Sequence, residues 1–155
     1  MGGRGSEGKR GPLNAVSEES KVATRRLIEG LFNTGNQEIA DEVLAADYID
    51  HSPSHPDLPS PENLKRAVGE WRVAFPDTHN VIEDMVAEGD KVAVRWTTHA
   101  THRGEFMGIP ATGNRIAVTS FGIFRLSGAK IVESWDTFNV LEMMQQLGIT
   151  SLSDT

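Results

Sequence analysis

The stretch that decides the fold runs from His79 to Phe138: "HNVIEDMVAEGDKVAVRWTTHATHRGEFMGIPATGNRIAVTSFGIFRLSGAKIVESWDTF". Apolar and polar residues alternate through "HNVIEDMVA", "KVAVRWTTHAT", "RIAVTSFGIFRL" and "KIVESWDTF", the period-two pattern of strands with one buried face. Glu88-Gly89-Asp90 and Ser127-Gly128 supply hairpin turns, while "HRGEFMGIPATGN", His102 to Asn114, is a glycine-rich loop.

Outside this stretch the period is helical. Ala23, Leu27, Ile28, Leu31 and Phe32 predict a helix from Ser17 to Phe32, with Ser17 as N-cap and "NTGN" as its stop. A second helix is expected over Gln37–Leu44, then a short strand at "DYIDH", Asp47 to His51, entering the proline-rich "SPSHPDLPSP". Ser60-Pro61 reads as a cap followed by a first-turn proline. The third helix behind it carries Leu64, Val68, Trp71 and Phe75 on one stripe and ends at Pro76. A last helix, Val140–Leu147, opens on Asn139 and Glu142 as a capping box, with Leu141, Met144 and Leu147 turned inward. The order α-α-β-α-β-β-β-β-α predicts an α+β fold, a curved antiparallel sheet wrapped over helices. Such a cone leaves a hollow, the default place for a small ligand.

The 155 residues suit one domain, expected over 17–150, after a glycine-rich leader at 1–16 and before a short tail at 151–155. The leader has basic residues but no apolar block behind them, unlike a secretory signal. Without cysteine there is no disulfide, thiolate metal site or cysteine nucleophile, and a reducing, cytoplasmic setting is expected. A net charge of −7 argues against nucleic acid or an anionic membrane as partner. No apolar run approaches the ~20 residues of a membrane span.

Asp136 follows the apolar run "IVESW", where a carboxylate costs several kcal/mol if it is buried without a partner. Asn139 already serves the next helix as cap, which leaves Asp136 without that task. In a strand it shares a face with Ser134 and Phe138 and points either into the hollow or outward. Among the histidines, His51 and His55 have helical ligand spacing, but Pro53 and Pro56 oppose a helix there. His99 and His102 fall on opposite faces of a strand, so no metal site is expected. Arg95 is either a solvated or dimer-face arginine or a cation inside the hollow. Trp71 and Phe75 read as core that lines the pocket incidentally. Gly104, Gly108 and Gly113 do not form a phosphate loop, and no serine or threonine has a nucleophile-elbow context.

From about Ser17 to Ile149 the chain resembles the SnoaL-like polyketide cyclases of the nuclear transport factor 2-like superfamily. The resemblance rests on "FPDTHNVIEDMVAEGDKVAVRWTTHATHRGEFMGIPATGNRI" followed by "FRLSGAKIVESWDTFNVLEMMQQLG", with Ala129 interrupting the usual Gly-Lys pair. It implies a cone-shaped α+β barrel, a homodimer built on the outer face of the sheet, and a small hydrophobic substrate handled without cofactor. In cyclases of this group an Asp at the end of this strand is the general base of an intramolecular aldol condensation, and the matching residue is Asp136. His51 and His102 match polar positions that line the family pocket. Relatives with the same cone include a ketosteroid isomerase and an epoxide hydrolase. The latter type uses an Asp-Arg-Asp set, which is incomplete here because Thr97 stands two residues beyond Arg95. Three readings remain open: a cofactor-free cyclase or isomerase, a non-catalytic small-ligand binding module, and a dimeric scaffold. A polar, open pocket containing Asp136 favours the first, an apolar one without it the second, and a filled one the third.

Overall fold

A computed structural model describes residues 12–149, with side chains from residue 17 onward. Most of the expected leader and the whole of the expected tail lie outside the described residues.

The sheet is five-stranded: β1 (Leu44–Asp50), β2 (His79–Glu88), β3 (Lys91–Thr101), β4 (Arg115–Ser127) and β5 (Lys130–Phe138). Its order is β1-β5-β4-β3-β2. The β2-to-β5 meander is antiparallel throughout, as the alternation and tight turns require, and β1 joins its β5 edge in parallel. Helices α1 (Pro12–Arg25), α2 (Gln37–Val43), α3 (Ser60–Ala74) and α4 (Val140–Gln146) complete an α+β fold with a curved, open sheet. Among the described residues no helix is long and apolar enough to cross a membrane.

Five local expectations need correction. The first helix starts at Pro12, not at a Ser17 cap, because proline is well suited to a helix's first positions. It is not α-helical to its end: Arg26–Phe32 widens into a π-helical segment that buries Leu27, Ile28, Gly30 and Leu31. Leu44, expected in α2, has extended backbone and opens β1, which is therefore longer than "DYIDH". Ser60 is the first residue of α3 rather than its cap, and its hydroxyl accepts from the Asp50 backbone N–H at 2.9 Å. In α4 the buried pair is Met143 and Leu147, four residues apart on one face, so Leu141 is turned outward. The Asn139 cap is as expected, accepting from the Glu142 N–H at 3.1 Å.

Two apolar clusters fill the concave side. Val92, Val94, Trp96, Phe124, Leu126 and Ile131 of the sheet pack on Leu27, Ile28, Leu31, Ile39 and Val43 of the helices. Phe75, Ala100, Ile116, Val118, Met143 and Leu147 form the second, with Trp71, Phe106 and Phe138 against it. The hollow opens where the two meet.

Candidate active site

Strand alternation settles which way Asp136 points. On β4 the residues Ile116, Val118, Ser120, Gly122, Phe124 and Leu126 are all buried, and Gly122 lies directly opposite Asp136. Cross-strand partners share a face, so Asp136 lies on the inner side with Ser134, while Trp135 pairs with Ile123 on the outer side. The hollow beneath measures about 190 Å³ and is lined by Phe32, Leu64, Trp71, Trp96, Ser120 and Asp136, among others. Gly122 makes that space possible. A Cβ there would lie 3.0 Å from Phe124, 3.2 Å from Trp96 and 3.3 Å from the Asp136 Cβ.

Asp136 is exposed to solvent and lines both the hollow and a depression on the outer face of the sheet, with protein crowded around it. Its backbone N–H is directed at the Ser52 hydroxyl, 3.3 Å away. Its carboxylate has no hydrogen bond or ion pair among the described residues. Loss of hydration raises its pKa from the ordinary 3.8 to about 6, with the charge of Asp50 adding to the effect.

Asp50 itself stands on β1, where parallel pairing sets it beside Ser134. It is buried, and burial raises its pKa despite stabilising contacts. Ser52 donates its N–H to Oδ1 at 2.8 Å, and Asn63 donates from Nδ2 to Oδ2 at 3.0 Å. Tyr48, two residues earlier on the same face, shares a 2.6 Å hydrogen bond with the Ser134 hydroxyl, and its phenol pKa is pushed up by burial and then by Asp50. None of Tyr48, Asp50 or Ser134 was singled out from sequence. The available signal was the buried alternation Tyr48–Asp50 in a strand entering a proline-rich loop.

Several polar groups of the wall bond one another. Thr98 donates to Asn80 at 2.6 Å, Asn80 donates to Asn33 at 2.8 Å, and the Trp71 indole donates to Thr78 at 2.8 Å.

Of the other residues expected at a site, the hollow gathers only Trp71 beside Asp136. Phe75 lies beneath Trp71 at 0% exposure, their ring centroids 4.4 Å apart, and is core. His102 is equally buried, stacked on Phe75 at 5.3 Å. Its Nδ1 accepts the Thr112 N–H at 3.2 Å, so the ring proton sits on Nε2, which has no partner among the described residues. This geometry ties His102 to the glycine-rich loop rather than to the hollow. His51 lies outside, stacked flat on Trp135 at 4.6 Å and bonded to Glu133 at 3.1 Å. Arg95 is also outside, its Nε donating to Asp84 at 2.7 Å. It is the outer-face arginine of the two readings given above, because β3 turns Val94 and Trp96 inward. His55 bonds Glu70 at 2.7 Å. Among the described residues no three His, Asp or Glu side chains converge as a metal set.

A broader depression of about 630 Å³ lies on the outer face, lined by Val86, Arg95, Phe121, Ile123 and Trp135 and also by Asp136. It is larger than the hollow but shallow and apolar, and it is the exposed side of the sheet.

Residues 21–147 match the profile of the SnoaL-like polyketide cyclase family. The chain is 28% identical over 127 residues to aklanonic acid methyl ester cyclase DnrD of Streptomyces peucetius, covering 80% of this chain and 87% of that one. Among solved structures it is similar to TsrD of Streptomyces laurentii (TM-score 0.77, 26% identity, covering 85% of this chain and 96% of that one). It is also similar to IdmH of Streptomyces antibioticus (TM-score 0.74, 30% identity, covering 83% and 98%).

Proposed function

The chain belongs to the SnoaL-like polyketide cyclase family, and from that premise we propose that it closes a ring in a small polyketide-like carbonyl compound with Asp136 as general base. The observation that carries this reading is the unpaired Asp136 carboxylate on the wall of an aromatic hollow, its pKa raised by crowding to about 6. Asp136 takes a proton from the carbon beside a carbonyl. The resulting enolate carbon attacks a second carbonyl of the same molecule, forming the new carbon–carbon bond. The alkoxide then takes the proton back from Asp136, which leaves a β-hydroxy carbonyl and a regenerated carboxylate. Every proton moves between substrate and Asp136, so no step calls on a cofactor.

Two physical effects support the chemistry. A base whose pKa lies near the working pH is effective while still ionised, and about 6 meets that condition. The Trp71, Trp96 and Phe138 rings line the same hollow as the carboxylate and restrict a flexible chain to folded, near-attack shapes. The test is turnover of aklanonic acid methyl ester, the compound for which the relative DnrD is named, followed by chirally resolved product analysis. Its pH dependence is the first expectation. kcat/KM should rise with unit slope through an apparent pKa near 6 and level off above ~7, since only ionised Asp136 removes a proton. A limb near 4 would mean that the carboxylate is hydrated in the free protein, which defeats the assignment.

The outer face carries the second expectation. Phe121 (54% exposed), Ile123 (44%) and Val86 (66%) sit together with Trp135 on one side of the sheet. A second copy of the chain covers this face by isologous pairing, the commonest solution for such a surface. Sedimentation should return twice 16.9 kDa at micromolar concentration, and Phe121→Asp should return the monomer. A wild-type monomer removes the dimer.

A further inference from the structure

The inner row of β4 is apolar except at two adjacent positions of its period: Ser120 and Gly122. Gly122 makes room for Asp136. Ser120 is 6% exposed and lines the hollow, yet its hydroxyl has no hydrogen-bond partner among the described residues. The hydroxyl opens onto the hollow, where it can donate to whatever occupies that space. The other hydroxyls and amides of the wall are all engaged with one another. The Trp96 indole N–H is also without a partner, but the ring turns its benzo edge, at Cζ3, toward Gly122. Ser54 belongs to an exposed loop.

We propose that Ser120 is a catalytic hydrogen-bond donor, holding the substrate oxygen on which charge gathers when Asp136 removes its proton; the proposal rests on Asp136 being the base. The register places it for this. Ser120 pairs with Phe138 and Gly122 with Asp136, which makes Ser120 and Asp136 diagonal neighbours on one face, with backbones roughly 7 Å apart. A hydrogen bond of about 2.8 Å to Ser120 at one end and close approach of a C–H to Asp136 at the other leave room for one C–C–O unit between them. That unit is the α-carbon, carbonyl carbon and carbonyl oxygen of an enolisable ketone. As the C–H bond breaks, its electron pair moves to the oxygen facing Ser120 and the proton stays on Asp136. A donor aimed where charge develops acts on the transition state more than on the ground state. Trp96 and Phe138, the cross-strand neighbours of Ser120 on either side, keep that oxygen away from water.

The test uses 2-naphthol, a flat phenol whose ionised oxygen resembles an enolate's, and naphthalene, which has the same shape without the oxygen. Asp136→Asn stands for the protonated base, and binding is followed by naphthol fluorescence and by competition. In this background 2-naphthol should bind more tightly than naphthalene. Adding Ser120→Ala should weaken 2-naphthol about tenfold and leave naphthalene unchanged, which also shows that the hollow is intact. Equal losses for both probes, no loss for either, or no binding of 2-naphthol to Asp136→Asn would each overturn the role of Ser120. The base assignment fails on a different result, retained turnover by Asp136→Asn.

Discussion

Asp136→Asn should lower kcat by about 10²–10⁴-fold while leaving the protein as stable as the wild type, or more so, at neutral pH. The amide keeps the shape of the side chain and cannot accept a proton from carbon. The stability half follows from the raised pKa. The folded protein holds the Asp136 proton more tightly than the unfolded chain does, so ionisation disfavours the fold. The protein is therefore free of this penalty below about 4, acquires it between about 4 and 6, and carries it in full above 6. The Asn variant lacks that slope. Urea unfolding of both proteins at pH 4 and pH 8 reads the difference directly. Asp136→Ala completes the comparison: because Asn139 already caps α4, Ala should also cost little. A loss of a kcal/mol or more with ligand binding intact would make Asp136 structural instead.

Phe75→Ala should be the most damaging single truncation, at roughly 3–5 kcal/mol. The ring is wholly buried and touches Trp71, His102 and Phe106 at centroid separations of 4.4, 5.3 and 5.3 Å. Removing it leaves a void beneath the hollow and exposes the unpartnered His102 Nε2 to that void. The loss should lower Tm by 10 °C or more, since 1 kcal/mol is worth ~2–8 °C in domains of this size range. Phe121→Ala, on the exposed face of β4, is the control and should leave monomer stability within about 0.5 kcal/mol. A small effect at Phe75 would refute its place in the core. It would then be free to contact ligand.

The strands were legible because four of them carry an uninterrupted alternation closed by glycine turns, and local pattern suffices for a meander. The first helix was legible in its apolar period but not in its start or its π-helical end. Pro12 lies in a glycine-rich context that masks a helix, and an i→i+5 widening hardly alters the apolar spacing. β1 was read three residues short at its start, because Leu44 continues the period of α2 and only backbone pairing with Ile131 draws it into the sheet.

At the site the same division holds. Asp136 could be placed on a face with Ser134 but not assigned to the inside, since that needs the register opposite Gly122. His51, Arg95 and His102 are polar residues near the right strands, and each is taken up by a neighbour in space: Trp135 and Glu133, Asp84, Thr112. Those pairings join positions 10 to 84 residues apart, and no local period reports them. Ser120 was readable in principle, as a polar break in an apolar row, but a break gains meaning only once the hollow below it is known.

The parallel seam between β1 and β5 bears on the order in which the molecule assembles. β2–β3 and β4–β5 zip through short turns and β3–β4 across the loop from His102 to Asn114, each a local closure of low entropic cost, whereas β1 meets β5 across a separation of 84 residues, the span from Ser52 to Asp136. That seam should form last on folding and open first in native-state hydrogen exchange, before the meander gives way. Asp50, Ser52 and Tyr48 leave with β1 when it opens, and water then reaches Asp136 from the side they had covered. The carboxylate would fall back toward an ordinary acidity while most of the sheet stayed intact. If Asp136 is the base proposed above, activity depends on the least persistent contact in the fold, and heating should lower it several degrees before the protein melts.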